Sequence, residues 1–222
     1  DLHSFPTRRS SDLDLQNLGN QYVHSKFISE RVVLDAVALH KLNAKVMRVG
    51  NLAPRSTDGE FQINFQTNSA MGRIRVYQML GCYPYDLTDT PMEFSPINEV
   101  AKAIVTLSET PQQCCLFHPY NNHYVHFGDV LEELSKVARG PRQVEAEAFN
   151  EAMEVAKQDP EKAKRLSSLI AYQDMAHGQK AVMIPSDNQY TTQVLYRLGF
   201  RWSSTSWDYV DQMLKAIAGF GY

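Results

Sequence analysis

Cysteine is scarce in this chain: three among 222 residues, two of them adjacent at Cys114 and Cys115. So few, so placed, do not build a disulfide framework, and a reducing, cytoplasmic setting is the default expectation. Apolar runs are short too. None approaches the ~20 residues that cross a bilayer, so no membrane partner is expected. Positive charge is not in excess either. The 22 Lys and Arg face 25 Asp and Glu, a formal net charge of −3. That leaves no basic field for nucleic acid or an anionic surface. No G-x-S-x-G elbow occurs, which argues against a hydrolytic site. Internal repeats, low-complexity linkers and heptads are also missing. What is there is an ordinary globular composition, 43% hydrophobic, sufficient for one large domain or two small ones.

The first thirteen residues stand apart. Asp1 to Leu13 reads DLHSFPTRRSSDL, without an apolar period and without the apolar centre of a signal peptide. The string looks like the in-frame translation of a widely used short-read sequencing adapter. The alternatives are a native disordered tail or a small basic patch at Arg8-Arg9. On the adapter reading, residues 1–13 carry no fold and the natural protein extends upstream, making this chain a C-terminal fragment.

Beyond them, periodicity predicts a helix from Tyr22 to about Lys41, with Phe27, Val32, Leu34 and Ala38 near helical spacing. Leu42-Asn43 ends it. Ala44 to Val49 reads as a short buried strand, and Gly50 to Pro54 as a break in regular structure. Helix, short loop, strand and glycine turn together point to an α/β doubly wound sheet. Loops at the carboxyl ends of such strands hold ligands, and Gly50 to Arg55 is one. Helices are further expected over Phe61–Leu80, Asn98–Glu109, Phe127–Ala138, Glu145–Lys157, Pro160 to about Tyr172, Gln189–Leu198 with Gly199 as its cap, and Trp207–Ala218. Strands are expected at Met92–Ile97, Cys114–His118 and Ala181–Pro185. The second half is mostly helical. The expected organisation is residues 14–57 as part of a cofactor layer, with 95–118 packing back on it, and 58–222 as a helical substrate-binding lobe.

Tyr22 and Lys26 stand four apart in the first helix, on one face, one turn apart. A phenol titrates near ~10; a neighbouring ammonium favours its ionised form and lowers that value. Such a pair can give a proton to a carbonyl oxygen or take one from an alcohol, the step that accompanies hydride transfer. Spacing alone equally fits a half-buried tyrosine beside a solvated lysine.

The context adds to the pair. Tyr-x-x-x-Lys on a helix, followed by a strand ending in Arg48-Val49-Gly50-Asn51-Leu52, resembles the extended short-chain dehydrogenase/reductase family. The block Arg55-Ser-Thr-Asp58-Gly59-Glu60-Phe61-Gln62-Ile-Asn64-Phe-Gln-Thr-Asn68 is similar to the thioester reductase branch. That branch holds the terminal reductase domains of nonribosomal peptide synthetases and carboxylic acid reductases. Met92-Glu93-Phe94-Ser95-Pro96-Ile97-Asn98-Glu99-Val100-Ala101, Phe117-His118-Pro119-Tyr120-Asn121 and Leu198-Gly199-Phe200-Arg201-Trp202 look like it as well.

The resemblance implies a Rossmann-like doubly wound parallel sheet, of which this chain holds the C-terminal part, plus the helical lobe. It implies Tyr22 as the proton donor. Lys26 would hold the nicotinamide ribose, and Gly50, Asn51 and Leu52 would lie beside the nicotinamide. NADPH is the expected donor, with NADH the alternative. The implied partner is an acyl or peptidyl carrier protein bearing a phosphopantetheine thioester. The implied product is an aldehyde, or after a second hydride an alcohol. The branch usually adds a Ser or Thr from an earlier strand, and a glycine-rich turn for the pyrophosphate. Neither G-x-G-x-x-G nor G-x-x-G-x-x-G occurs among the eleven glycines. The isolated chain is therefore expected to bind NADPH weakly or not at all and to be inactive. The rival readings are another extended reductase or epimerase, such as one acting on nucleotide sugars, and a non-catalytic carrier-docking module.

Other clusters weigh less. Cys114, Cys115, His118, His123 and His126 are metal-capable, but neighbours on a strand point to opposite faces, so no metal site is expected. Gln62, Asn64 and Asn68 either contact the thioester arm or satisfy a domain interface. The acidic-then-basic run from Glu145 to Arg165 reads as solvated helix.

Overall fold

In a computed structural model of the chain, residues 21–61, 68–137, 140–166 and 187–219 are described. Their elements in chain order are α1 (Gln21–His40), β1 (Val46–Met47), β2 (Leu52–Ala53), α2 (Ser69–Leu80), β3 (Cys82–Pro84), β4 (Pro91–Glu93), β5 (Ser95–Pro96), α3 (Ile97–Ser108), β6 (Leu116–Phe117), β7 (Tyr124–His126), α4 (Phe127–Val137), β8 (Arg142–Val144), α5 (Ala146–Lys157), α6 (Gln189–Arg197) and α7 (Trp207–Gly219). A helical run over residues 160–166 follows α5. The expected strand at Ala181–Pro185 lies outside the described residues. The chain divides into two compact units, Asp1–Val46 with Thr110–Phe117, and Met47–Glu109 with His118–Tyr222.

In the first unit α1 follows the sequence expectation to within a residue. It stops where Lys41 takes a positive φ of 54° and the Leu42 N–H turns back to the Ala36 carbonyl at 3.4 Å. Long polar side chains stitch the return segment to it. The Lys45 ammonium donates to the carbonyls of Pro111 and Cys114, both at 3.0 Å. The Gln112 amide donates to the Lys41 carbonyl at 2.8 Å. Val46 donates its N–H to Cys115 at 2.7 Å. The strand expected over Ala44–Val49 is thus only two residues long.

In the second unit the strands pair in twos. β2 runs parallel to β5 with Leu52 opposite Ser95, and β3 parallel to β8 with Cys82 opposite Arg142. β4 is antiparallel to β7, Pro91 facing His126. One expectation is corrected here: Gly50 to Pro54 is not irregular throughout, because Leu52–Ala53 is a strand. Its partner lies far along the chain, where local sequence gives no sign of it.

Helix α2 begins at Ser69 because the Asn68 side-chain oxygen accepts the N–H groups of Ala70 (3.0 Å) and Met71 (3.1 Å), capping donors the helix leaves open. Residues 62–67 of the helix expected from Phe61 lie outside the described residues. Ala70, Met71, Ile74 and Tyr77 recur on one face and are buried, as an amphipathic helix requires. Tyr77 meets Phe127 edge-on, 5.6 Å between centroids at 69°, a favoured aromatic geometry. Leu131 and Leu134 of α4, with Val210, Met213 and Leu214 of α7, complete the same core. Helix α3 buries Val100, Ala103 and Leu107. Gly199 follows α6 at φ 84°, the cap expected from the sequence.

Candidate functional site

Helix α1 carries Tyr22 and Lys26 on continuous helical backbone, separated by ~6 Å of rise. Lys26 is exposed. The side chain of Tyr22 lies outside the described residues, as do Gln62 and Asn64.

Gly50, Asn51 and Leu52 form the turn into β2. Gly50 and Leu52 are half-buried and Asn51 is exposed. A carboxylate fixes this turn from within the protein. The N–H of Asn51 donates to Glu93 Oε2 at 2.7 Å, and its side-chain amide donates to the Glu93 carbonyl at 3.3 Å. The Asn51 carbonyl accepts the Ser95 N–H at 2.9 Å. Ser95 Oγ donates to the other carboxylate oxygen, Glu93 Oε1, and accepts the Asn121 N–H at 2.9 Å. Asn121 in turn donates its side-chain amide to Ser203 (3.1 Å), whose N–H reaches Glu99 at 3.0 Å. A chain of dipoles thus runs from Asn51 to the segment before α7.

Gly50 is required by this packing. A Cβ there would sit 2.5 Å from Glu93 Oε2 and 2.5 Å from the Cβ of Tyr120, closer than any side chain tolerates. Tyr120 is itself held, its carbonyl accepting the Asn188 amide at 2.8 Å. Glu93 is only 9% exposed. Burial pushes its carboxyl above the ordinary carboxylate range, while the hydrogen bonds from Ser95 and Asn51 pull the other way, since desolvation disfavours the charged form.

Asn68 is brought to the same turn, donating its amide to the Leu52 carbonyl at 3.1 Å. Its oxygen is taken by the two helix donors, so one side chain serves as both cap and strut. The segment from Arg55 to Glu60 also has a structural role. Arg55 holds Asp58 with two bonds of 2.9 and 2.6 Å, which keeps the Asp58 carboxyl below its usual range. Arg55 N–H donates to the Glu60 carbonyl (2.8 Å) and Gly59 N–H to the Arg55 carbonyl (3.0 Å). Gly59 sits at φ 72°, where a Cβ would meet the Gln212 carbonyl at 3.0 Å. Tyr209 closes the region by donating its hydroxyl to Pro54 at 2.9 Å.

The sequence reading did not single out Glu93, Ser95 or Asn121 as a group. The available sign was a charged residue between Met92 and Phe94, both buried, in what reads as a core strand. His118 donates its N–H to Thr191, and Cys114 and Cys115 are half-exposed. Among the described residues, no three His, Cys, Asp or Glu side chains gather as metal ligands do, and no helix is long and apolar enough to cross a membrane.

Comparison with known proteins finds relatives of the chain. The model of the family described as "Male sterility protein" matches residues 6–104. No curated protein matches. Among solved structures, a thiolation-reductase di-domain from an archaeal non-ribosomal peptide synthetase is 32% identical, with a TM-score of 0.79, over 93% of this chain and 42% of that one. The aureusimine biosynthetic cluster reductase domain is 25% identical, with a TM-score of 0.68, over 90% of this chain and 51% of that one. The terminal R domain from the myxalamid PKS-NRPS pathway shares the fold, with a TM-score of 0.73 at 18% identity, over 90% of this chain and 50% of that one. The chain thus spans about half the length, or less, of the structures it matches. Its fold is α/β and Rossmann-like. By sequence and by fold the chain is a relative of the terminal reductase domains, the thioester-reductase branch of the extended short-chain dehydrogenase/reductases.

Proposed function

We propose that the protein takes part in the reductive release of an acyl or peptidyl thioester from a carrier protein, with NADPH as donor. The observation that carries this is the placement of Tyr22 and Lys26 one turn apart on the unbroken helix α1, in a chain 32% identical to a thiolation-reductase di-domain. The residues present fit a nicotinamide dinucleotide on a second ground: Asn51 is exposed on a turn whose backbone is tied down from within. Lys26 would hold the ribose and Gly50, Asn51 and Leu52 the nicotinamide edge. That cofactor supplies the hydride.

The chain's own residues manage the proton. Lys26 favours the phenolate through its charge, which makes Tyr22 a better acid. Tyr22 gives its proton to the carbonyl oxygen of the thioester as that carbon is reduced. The resulting hemithioacetal breaks its carbon–sulfur bond, leaving an aldehyde and the free thiol of the phosphopantetheine arm. General acid catalysis of this kind contributes roughly 10²–10⁴ in rate. Gln62, Asn64 and Asn68 remain candidates for the thioester side, with Asn68 already engaged as a helix cap.

The test is turnover of the natural full-length protein with NADPH and an acyl-carrier thioester, set beside a nucleotide sugar. Thioester-dependent NADPH oxidation with an aldehyde product supports the reading. Turnover of the nucleotide sugar alone transfers the chain to another branch of the family, and oxidation of neither substrate contradicts a reductase role.

A further inference from the structure

We propose that Glu93 is a positioning residue for the Gly50–Asn51–Leu52 turn, setting the backbone against which the nicotinamide rests; this deepens the reductase reading and depends on it. A carboxylate between buried Met92 and Phe94 is costly unless its oxygens are satisfied. Both are satisfied here by dipoles: the Asn51 N–H on Oε2 and the Ser95 hydroxyl on Oε1. Three bonds from β4 and β5 converge on Asn51 alone, to its N–H, its side-chain amide and its carbonyl. The same carboxylate fills the space a Gly50 side chain would need. Every backbone group at the centre of the turn is therefore set by Glu93 or its hydrogen-bonded neighbour Ser95, while Asn51 stays exposed to a ligand. A residue buried only for stability has no need to grip a solvent-facing turn with both its carboxylate and its carbonyl, while its neighbour Ser95 takes the turn's own carbonyl.

Two variants separate positioning from bulk stability. Glu93→Gln keeps an oxygen for the Asn51 N–H and offers an amide to Ser95 Oγ. Glu93→Leu keeps most of the volume and removes both bonds. NADPH is the probe, titrated by its fluorescence into the natural full-length protein, at a temperature where circular dichroism shows each variant folded. Glu93→Leu is expected to weaken NADPH at least about tenfold, the size of one lost charge-assisted hydrogen bond. Glu93→Gln is expected to stay within about threefold, and the thioester KM to be unchanged in both. A second readout needs no cofactor: exchange of the Asn51 amide hydrogen should speed up about tenfold or more in Glu93→Leu and much less in Glu93→Gln.

Wild-type affinity in Glu93→Leu, or unchanged Asn51 exchange, overturns the positioning role while leaving the reductase reading intact. No NADPH binding by the full-length wild type overturns the reductase reading itself. Should Glu93→Leu fail to fold, Ser95→Ala removes one donor to the carboxylate and is expected to weaken NADPH about threefold; an unchanged affinity then overturns the proposal.

Discussion

Helices α1 and α3 are both rich in apolar residues, which gather on one face in α3 and spread round α1. In α3, Val100, Ala103 and Leu107 are buried, Leu107 completely. In α1, Ile28, Val32 and Leu39 share a face and are 43%, 63% and 76% exposed. Among the described side chains of α1 none is buried. Packing therefore explains the apolar residues of α3, whereas the most specific pattern in α1 is the Tyr22/Lys26 pair, a matter of spacing along the helix. Asn51, exposed like the face of α1, is nonetheless tied down at its N–H, its carbonyl and its side-chain amide.

The largest effect that would sharpen this contrast is a pair of truncations. Leu107→Ala should cost ~2–5 kcal/mol, the usual range for emptying a core site, while Val32→Ala should cost less than ~0.5 kcal/mol. Urea midpoints measure both, and equal losses would break the comparison. Next in size is Gly50→Ala, which drives a methyl into Glu93 and Tyr120. A loss of ~1–3 kcal/mol is expected, as for other overpacked sites; a neutral result would show that the carboxylate gives way freely. Asn68→Ala removes the cap of α2 and the strut to Leu52, for ~1 kcal/mol, read from the same denaturation curves.

The smallest effect is a pH signature. The Glu93 carboxyl is raised in the folded state. Its contribution to stability is fully present below the unfolded glutamate value, ~4.3, and is lost as pH rises through the raised folded value. Glu93→Gln carries no such titration. Its stability profile between about pH 4 and 8 should be flatter than the wild type's, with the gap between the two narrowing towards wild-type disadvantage as pH rises. Parallel profiles would mean that Glu93 titrates normally.

Much of this was legible along the chain because its causes are local. Helix α3 was expected from Asn98 and starts at Ile97; Gly199 was expected as a cap and has the backbone for it. What escaped has distant causes. β3, β7 and β8 are three residues each, too short for a period to register. β2 exists because Ser95 and Pro96 lie beside it. Asn68 read as a helix-face polar residue because its helix was expected to begin at Phe61, whereas its oxygen caps a helix beginning at Ser69. Glu93 grips Asn51 across 42 positions, and no local pattern reports such a contact.

The most direct test of the central claim is the rate of NADPH oxidation by Tyr22→Phe in the natural full-length protein on an acyl-carrier thioester, beside the wild type. The phenyl ring keeps the shape of α1 and removes only the acidic proton. A fall of at least ~10² in kcat, with NADPH affinity little changed, is the expected result. Undiminished turnover would contradict the assignment of Tyr22 as the proton donor.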